Sequence, residues 1–567
     1  MDLTATYRLR RRAVLALLGL ALVTLLWRAV DQQILQGDFL RSQGAARHVR
    51  VMEMPAYRGR ITDRHGEPLA ISSPVVSVWA SPRELLPGRP DLRPLARVLE
   101  LDAKRLQREV EKRSGRGFYY LKRQVTPELG RHVEALDLPG IGLEREYRRY
   151  YPSGEVTSHL VGFTNIDEQG QEGLERAYDD WLRGRPGSKR VIKDGRNRVV
   201  KDLESVSQPQ PGRDLVLSID RRLQYLAYRE LKAAVLQHKA QAGTAVILDV
   251  DKAEVLAMVN QPAYNPNAER DNKHGRLRNR ALTDVFEPGS TMKPFTVAAA
   301  LEAGIVTPET IVDTSPGLFR VGSQLVRDHH NLGAIDIATV LRKSSNVGAS
   351  KLALSLTAEQ LWALYSRVGF GASTGSNYPG EVTGQLPDFR GWSRFERCTL
   401  SFGYGLSVTS LQLAQAYGVL AADGVKRPLS LLVRDEVPPG EQVLSVETAR
   451  RLRSMLETVV SPEGTAPKAA VPGYRVAGKT GTARKAVAGG YAKDRYQAVF
   501  AGMAPATDPR LVMVVMIDEP SAGEFYGGAV AAPVFAEVMA GALRLLNVPP
   551  DNLPQQELRV AGVEVHP

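Results

Sequence analysis

Three short clusters of hydroxyl, amide and amine side chains fall in order along this 567-residue chain. The first is Phe286-Glu287-Pro288-Gly289-Ser290-Thr291-Met292-Lys293-Pro294-Phe295. A helix beginning at Ser290 puts Lys293 on the same face, because residues three apart are neighbours there, and its amine can then reach the Ser290 hydroxyl. A serine hydroxyl is a weak nucleophile without a base beside it. Lysine serves as that base only when burial or a second cation depresses its pKa. The second cluster, Ser344-Ser345-Asn346, follows a helix-like stretch from Ile335 to Lys343. There Ser344 is placed to relay a proton and Asn346 to hold a substrate amide. The third is Gly478-Lys479-Thr480-Gly481-Thr482-Ala483. Its flanking glycines mark a strand that another backbone approaches closely, and a peptide can add to such an edge as one more strand. Lys479 brings the second cation and attracts a carboxylate, for which Thr480 and Thr482 are donors.

Each cluster alone is weak; a Ser-x-x-Lys occurs about once by chance in a chain this long. Their conjunction, in this order and in the local structure each role needs, points to acyl transfer through a serine ester. His329-His330 have no completing ligands, so a metal is not implied. Glu287 reads as a helix-start charge rather than a catalytic acid. Cys398 is the one cysteine, which excludes an intramolecular disulfide and an all-thiolate metal site, and it reads as a small buried residue.

The elements that must carry these clusters are legible as alternating patterns. A strand at Leu215–Ser218 and an amphipathic helix over about 221–237 precede two apolar runs, Thr244 to Val250 and Glu254 to Asn260, that form a hairpin signature. Two further strands, 498–503 and 511–517, and an apolar-striped helix over about 532–546 close the region. Strands at both ends enclosing helices predict an α+β domain with an antiparallel sheet built from both ends. Gln208-Pro209-Gln210-Pro211-Gly212 reads as the linker before it. At the N-terminus Arg8, Arg10, Arg11 and Arg12 precede an apolar run from Ala13 to Trp27 that reaches membrane-spanning length with Ala29 and Val30. No small-x-small cleavage site follows, so the segment reads as an uncleaved signal anchor, its arginines on the cytoplasmic side. The net charge of +12 is spread among acidic residues without interleaved aromatics, so nucleic acid is not an implied partner.

Beyond the trio, which penicillin-binding proteins and class A β-lactamases share, Arg278 through Phe295, Lys343 through Gly348 and Gly403-Tyr404-Gly405-Leu406-Ser407 resemble the division-specific class B penicillin-binding proteins. Arg58 through Arg64, Arg148-Arg149-Tyr150-Tyr151-Pro152 and Gln171 through Glu175 resemble the non-catalytic N-terminal module of that family. The resemblance implies a cytoplasmic tail (1–12), an anchor (13–30), a stalk (31–45), a pedestal (46–211), a penicillin-binding/serine β-lactamase-like transpeptidase domain (212–550) and a loose tail (551–567). It implies a D,D-transpeptidase that needs no cofactor and is inhibited by β-lactams. Its substrates are nascent peptidoglycan stem peptides, and its partners are a polytopic glycan polymerase and other divisome proteins in the inner membrane. Ser290, Lys293, Ser344, Asn346 and Lys479 are the implied catalytic residues. Thr480, Gly481, Thr482, Arg484 and Tyr404 are the implied binding residues, with Phe525-Tyr526 as a further cleft wall. An elongation-type transpeptidase, a D,D-carboxypeptidase and a non-enzymatic divisome scaffold remain alternatives. A β-lactamase fits less well, since no Glu-x-x-Leu-Asn occurs in the chain.

Overall fold

The computed structural model describes residues 3–36, 49–193, 199–268 and 275–552. Parts of the expected tail, stalk and C-terminal segment (1–2, 37–45 and 553–567) lie outside the described residues. Helix α1 (Leu3–Val30) carries the N-terminal apolar run, and the stretch Leu9–Ile34 has the length and hydropathy to cross a membrane. A single helical turn, Asp31–Leu35, continues it.

The chain divides into two compact units that interleave in sequence: residues 1–58, 72–148 and 183–212 make one, and residues 59–71, 149–182 and 213–567 the other. One boundary between the units falls between residues 212 and 213. Segments 59–71 and 149–182, expected within the pedestal, group with the C-terminal unit.

In the first unit, strand β1 (Val49–Met54) pairs antiparallel with β5 (Gly187–Lys193), which pairs with β6 (Val199–Ser207). A second sheet sets β2 (Pro68–Ala80) against β3 (Tyr119–Val125) and β4 (Ile141–Tyr150). Val78, Leu85, Leu95, Leu99 and Val110 form its core.

The second unit is built on a five-stranded antiparallel sheet, order β8–β7–β11–β10–β9. Strands β7 (Ala242–Asp249) and β8 (Val255–Gln261) come from its start. Strands β9 (Ala477–Val487), β10 (Gly490–Ala504) and β11 (Leu511–Asp518) come from its end, as the sequence predicts. Every residue of β7, β8 and β11 is buried, which requires helices on both faces. Helix α2 (Arg221–Gln237) packs on β7 and β8 and on α9 (Ala532–Leu545), while α7 (Ser410–Ala421) and α8 (Val446–Val460) supply further cover. Between the two sets of strands run α3 (Lys293–Glu302), α4 (Ile337–Arg342), α5 (Asn346–Ser355) and α6 (Arg394–Ser401). Cys398 is buried with Val321, Val326 and Val347.

Two of the N-terminal sequence signatures meet here as an ion pair. Arg149 Nε donates to Glu175 Oε1 at 2.6 Å, with the side chains 2% and 0% exposed. A buried pair contributes little net stability against an apolar replacement, but breaking it by removing one partner costs about 3–5 kcal/mol. Arg149→Ala is therefore expected to lower the urea midpoint strongly, and Arg149→Met with Glu175→Leu to recover most of that loss.

Candidate active site

The serine turn is shaped before the helix begins. Gly289–Met292 form a 3-10 turn that runs into α3, with Pro294 in the first helical positions. Gly289 has φ +55° and Gly403 φ +87°. A Cβ on Gly403 would stand 2.1 Å from the Gly289 carbonyl oxygen, so only glycine fits there. On the other side a Cβ on Gly481 would lie 2.8 Å from the Pro288 carbonyl oxygen. The glycine of the third cluster thus lets edge strand β9 close on the serine turn. Ser290 is half-buried.

Lys293 is fully buried. Its Nζ donates to Ser344 Oγ at 3.0 Å, to Asn346 Oδ1 at 2.8 Å and to the Ser344 carbonyl. Lys479, also fully buried, donates to the same Ser344 Oγ at 3.0 Å. The middle hydroxyl therefore lies between two amines. Burial, reinforced by the Lys479 charge, holds the Lys293 pKa well below its ordinary value. Burial lowers that of Lys479 to about 7. The direct contact expected between Lys293 and Ser290 is absent: among the described residues the Ser290 hydroxyl has no hydrogen-bond partner. The reason is geometric, since the three acceptors of the middle cluster take the amine instead.

Ser344 adopts φ +58°. Its amide donates to the Leu341 carbonyl at 3.2 Å, and the Ser345 amide to the Val340 carbonyl at 3.0 Å. That is the pairing of a Schellman cap at the end of α4, where glycine is the usual occupant. Ser345 caps the start of α5, accepting from the Gly348 amide at 2.9 Å. It donates to Asp328 at 2.6 Å. The Asp328 carboxylate also accepts from the Asn346 and Val347 amides at 2.5 and 3.0 Å. Asp328 holds Ser345 and Asn346 of the second cluster and escaped the sequence reading, because it lies on a loop with no spacing relation to the residues it holds.

Thr480 Oγ1 lies 3.0 Å from Thr465 Oγ1. Thr482 Oγ1 accepts from the Gly527 amide at 2.9 Å, tying the Phe525-Tyr526 loop to β9. Tyr496, Phe525 and Tyr526 stack with centroids 4.2 and 4.5 Å apart. Tyr404 is half-buried and accepts from the Arg484 amide at 3.4 Å, while the Arg484 side chain is exposed. Among the described residues His329 and His330 belong to no group able to hold a metal; His329 faces the Tyr526 ring at 6.4 Å. Glu287, read from sequence as a helix-start charge, instead accepts from the Gly405 amide at 2.8 Å and the Tyr491 hydroxyl at 3.0 Å. Burial raises its carboxyl above the ordinary range.

Two family models match this chain: the penicillin binding protein transpeptidase domain over residues 243–540 and the penicillin-binding protein dimerisation domain over residues 53–217. The chain is 45% identical over 539 residues to "Peptidoglycan D,D-transpeptidase FtsI" of Escherichia coli strain K12, covering 94% of this chain and 91% of that protein. Its structure is similar to the apo transpeptidase domain of penicillin-binding protein 3 from Burkholderia pseudomallei, with a TM-score of 0.55 and 46% identity. That match covers 60% of this chain and 98% of the other.

A lysine whose pKa falls on folding takes up protons less readily folded than unfolded. Its cost to stability is full below the folded value and vanishes above the unfolded one. For Lys479 that window runs from about 7 to the ordinary 10.5. Lys479→Met is expected to melt at a higher temperature than the parent near pH 7, the difference shrinking steadily toward pH 10.5. Thermal denaturation across that range is the check.

Proposed function

Because this chain belongs to the penicillin-binding proteins and is a class B peptidoglycan D,D-transpeptidase, we propose that it cross-links peptidoglycan at the division septum through an acyl-enzyme on Ser290. The observation that carries this reading is the Ser344 hydroxyl lying 3.0 Å from each of two buried lysines. Such an array can accept and deliver protons close to neutral pH, which a serine acyl transfer requires.

Ser290 Oγ attacks the penultimate D-Ala carbonyl of a stem peptide, and its proton passes to neutral Lys293. The backbone amides of Ser290 and Thr482 receive the developing oxyanion, where preorganised donors contribute several kcal/mol. As the carbon–nitrogen bond breaks, Ser344 carries the proton to the departing D-Ala amine. Asn346 orients the substrate amide. Lys479, Thr480 and Thr482 receive the terminal carboxylate, with Gly481 admitting the close approach and Arg484 and Tyr404 flanking it. An amine of a neighbouring stem peptide then attacks the ester, loses its proton into the same relay and frees Ser290. β-Lactams acylate Ser290 and stall there.

Residues 13–30 form a single-pass anchor, with 1–12 cytoplasmic and the rest on the far side of the inner membrane. The N-terminal apolar helix supports this reading. Residues 46–211 serve as pedestal and 212–550 as transpeptidase domain, in line with the two matched spans. The pedestal and anchor meet the polytopic glycan polymerase and other divisome proteins.

Intact mass spectrometry after exposure to a fluorescent penicillin is expected to give a stable one-to-one adduct that Ser290→Ala abolishes; no adduct on the parent would overturn the assignment. The acylation rate is expected to fall as pH drops through the depressed pKa of Lys293. Lys479→Gln removes the neighbouring charge and lets that pKa rise, so its acid limb moves to higher pH. A limb unmoved or shifted downward would exclude Lys293 as the base.

A further inference from the structure

A groove of about 770 Å³ opens on the second unit, away from the serine turn, between the β7–β8 turn, the β10–β11 turn and helix α8. That is the size of a small-molecule or peptide-end site. Four arginines line it: Arg427, Arg450, Arg453 and Arg475. Three are already paired, Arg450 and Arg453 sharing the Asp423 carboxylate at 2.8 and 2.6 Å, and Arg475 with Glu457 at 2.7 Å. Arg427 is different. Among the described residues its guanidinium has no acceptor, and its Nε is buried without a partner. It also borders a small, mainly apolar pocket lined by Leu248, Val419, Leu429 and Val512.

We propose that this groove is a second binding site, which takes the free carboxylate end of a peptidoglycan stem peptide on Arg427. A planar guanidinium matches a carboxylate through two parallel hydrogen bonds. One guanidinium without an acceptor among the described residues suits a single carboxylate, and the groove's own carboxylates, Asp251, Asp423, Glu457 and Asp508, disfavour polyanions such as nucleic acid or anionic lipid. The floor beside it, Val250, Ala421, Ala422 and Pro509, offers small apolar surfaces sized for alanine methyl groups. This ligand class rests on the transpeptidase reading above, since substrates and products of that reaction end in such a carboxylate.

The groove is connected to the catalytic cluster through one helix. Arg450, Arg453 and Glu457 of α8 line it, and the turn after α8 reaches both catalytic motifs. The Glu463 carbonyl accepts from Lys343 Nζ at 2.7 Å, beside Ser344. Thr465 Oγ1 meets Thr480 Oγ1 at 3.0 Å. A peptide end bound along α8 therefore bears on the position of the residues just beyond its C-terminal end, so stem-peptide ends bound in the groove adjust the rate at the serine.

The test uses the full chain in detergent with Ser290 first acylated to completion by benzylpenicillin, which closes the catalytic cleft to peptide. N-acetyl-D-alanyl-D-alanine is the probe and its C-terminal amide the control, with binding read by calorimetry. The acylated protein is expected to bind the acid at least tenfold more tightly than the amide. Arg427→Gln and, separately, Ala422→Leu are each expected to weaken binding at least tenfold. The probe has no free amine and cannot accept the acyl group, yet at saturation it should change the half-life of the penicilloyl enzyme at least twofold, an effect lost in Arg427→Gln. Absence of binding to the acylated protein, or binding indifferent to both substitutions, overturns the proposal. Failure of the adduct itself to form would count against the Ser290 assignment instead.

Discussion

Two ammonium-bearing side chains share one hydroxyl inside the protein, and much of the second unit exists to make that tolerable. Taking a lysine out of water disfavours its charged form, and a second lysine nearby disfavours it further. Lys293 and Lys479 are fully buried and converge on Ser344. The like charges cannot relax apart, because each is rooted in a different rigid element. Lys293 opens a helix whose residues through Ala300 are buried. Lys479 sits on a strand hydrogen-bonded to β10 along its length. The result is a pair of amines whose pKa values are both held down, with one hydroxyl shared between them.

The close packing of backbones explains how motifs almost 190 residues apart are brought within hydrogen-bonding distance. Gly403 presses on Gly289 and Gly481 on Pro288, so the serine turn is gripped from two sides. Glu287 adds a third tie, joining the residue three before the nucleophile to the Tyr404 loop and to Tyr491 near the start of β10. Asp328 does the same for the middle motif by accepting two amides and a hydroxyl. These carboxylates do not face the reaction; they hold the backbone that does.

The hairpin of β7 and β8, the late strands β10 and β11 and the amphipathic helix α2 were legible because their periods of burial are local properties of the chain. The order and residue types of the three clusters were legible for a similar reason, since each carries its own start, stop or glycine signal. Two things were not. The role of Asp328 and the true contacts of Glu287 depend on which loops meet in space, and no spacing encodes that. The preference of Lys293 for Ser344 and Asn346 over Ser290 was equally hidden, because helix geometry says which residues are neighbours but not which acceptors compete for them. The interleaving of segments 59–71 and 149–182 with the C-terminal unit is likewise a matter of topology rather than composition.

The left-handed backbone at Ser344 has a consequence for how this position can change over time. A side chain held at φ +58° costs about 1–3 kcal/mol that glycine would largely avoid. Drift or laboratory selection for thermal robustness alone therefore pulls position 344 toward glycine, and only the need for a hydroxyl between the two amines holds it at serine. The middle motif carries a standing conflict between durability and chemistry. A glycine at this position in a descendant of the chain would be the backbone's own signature that the hydroxyl was no longer needed.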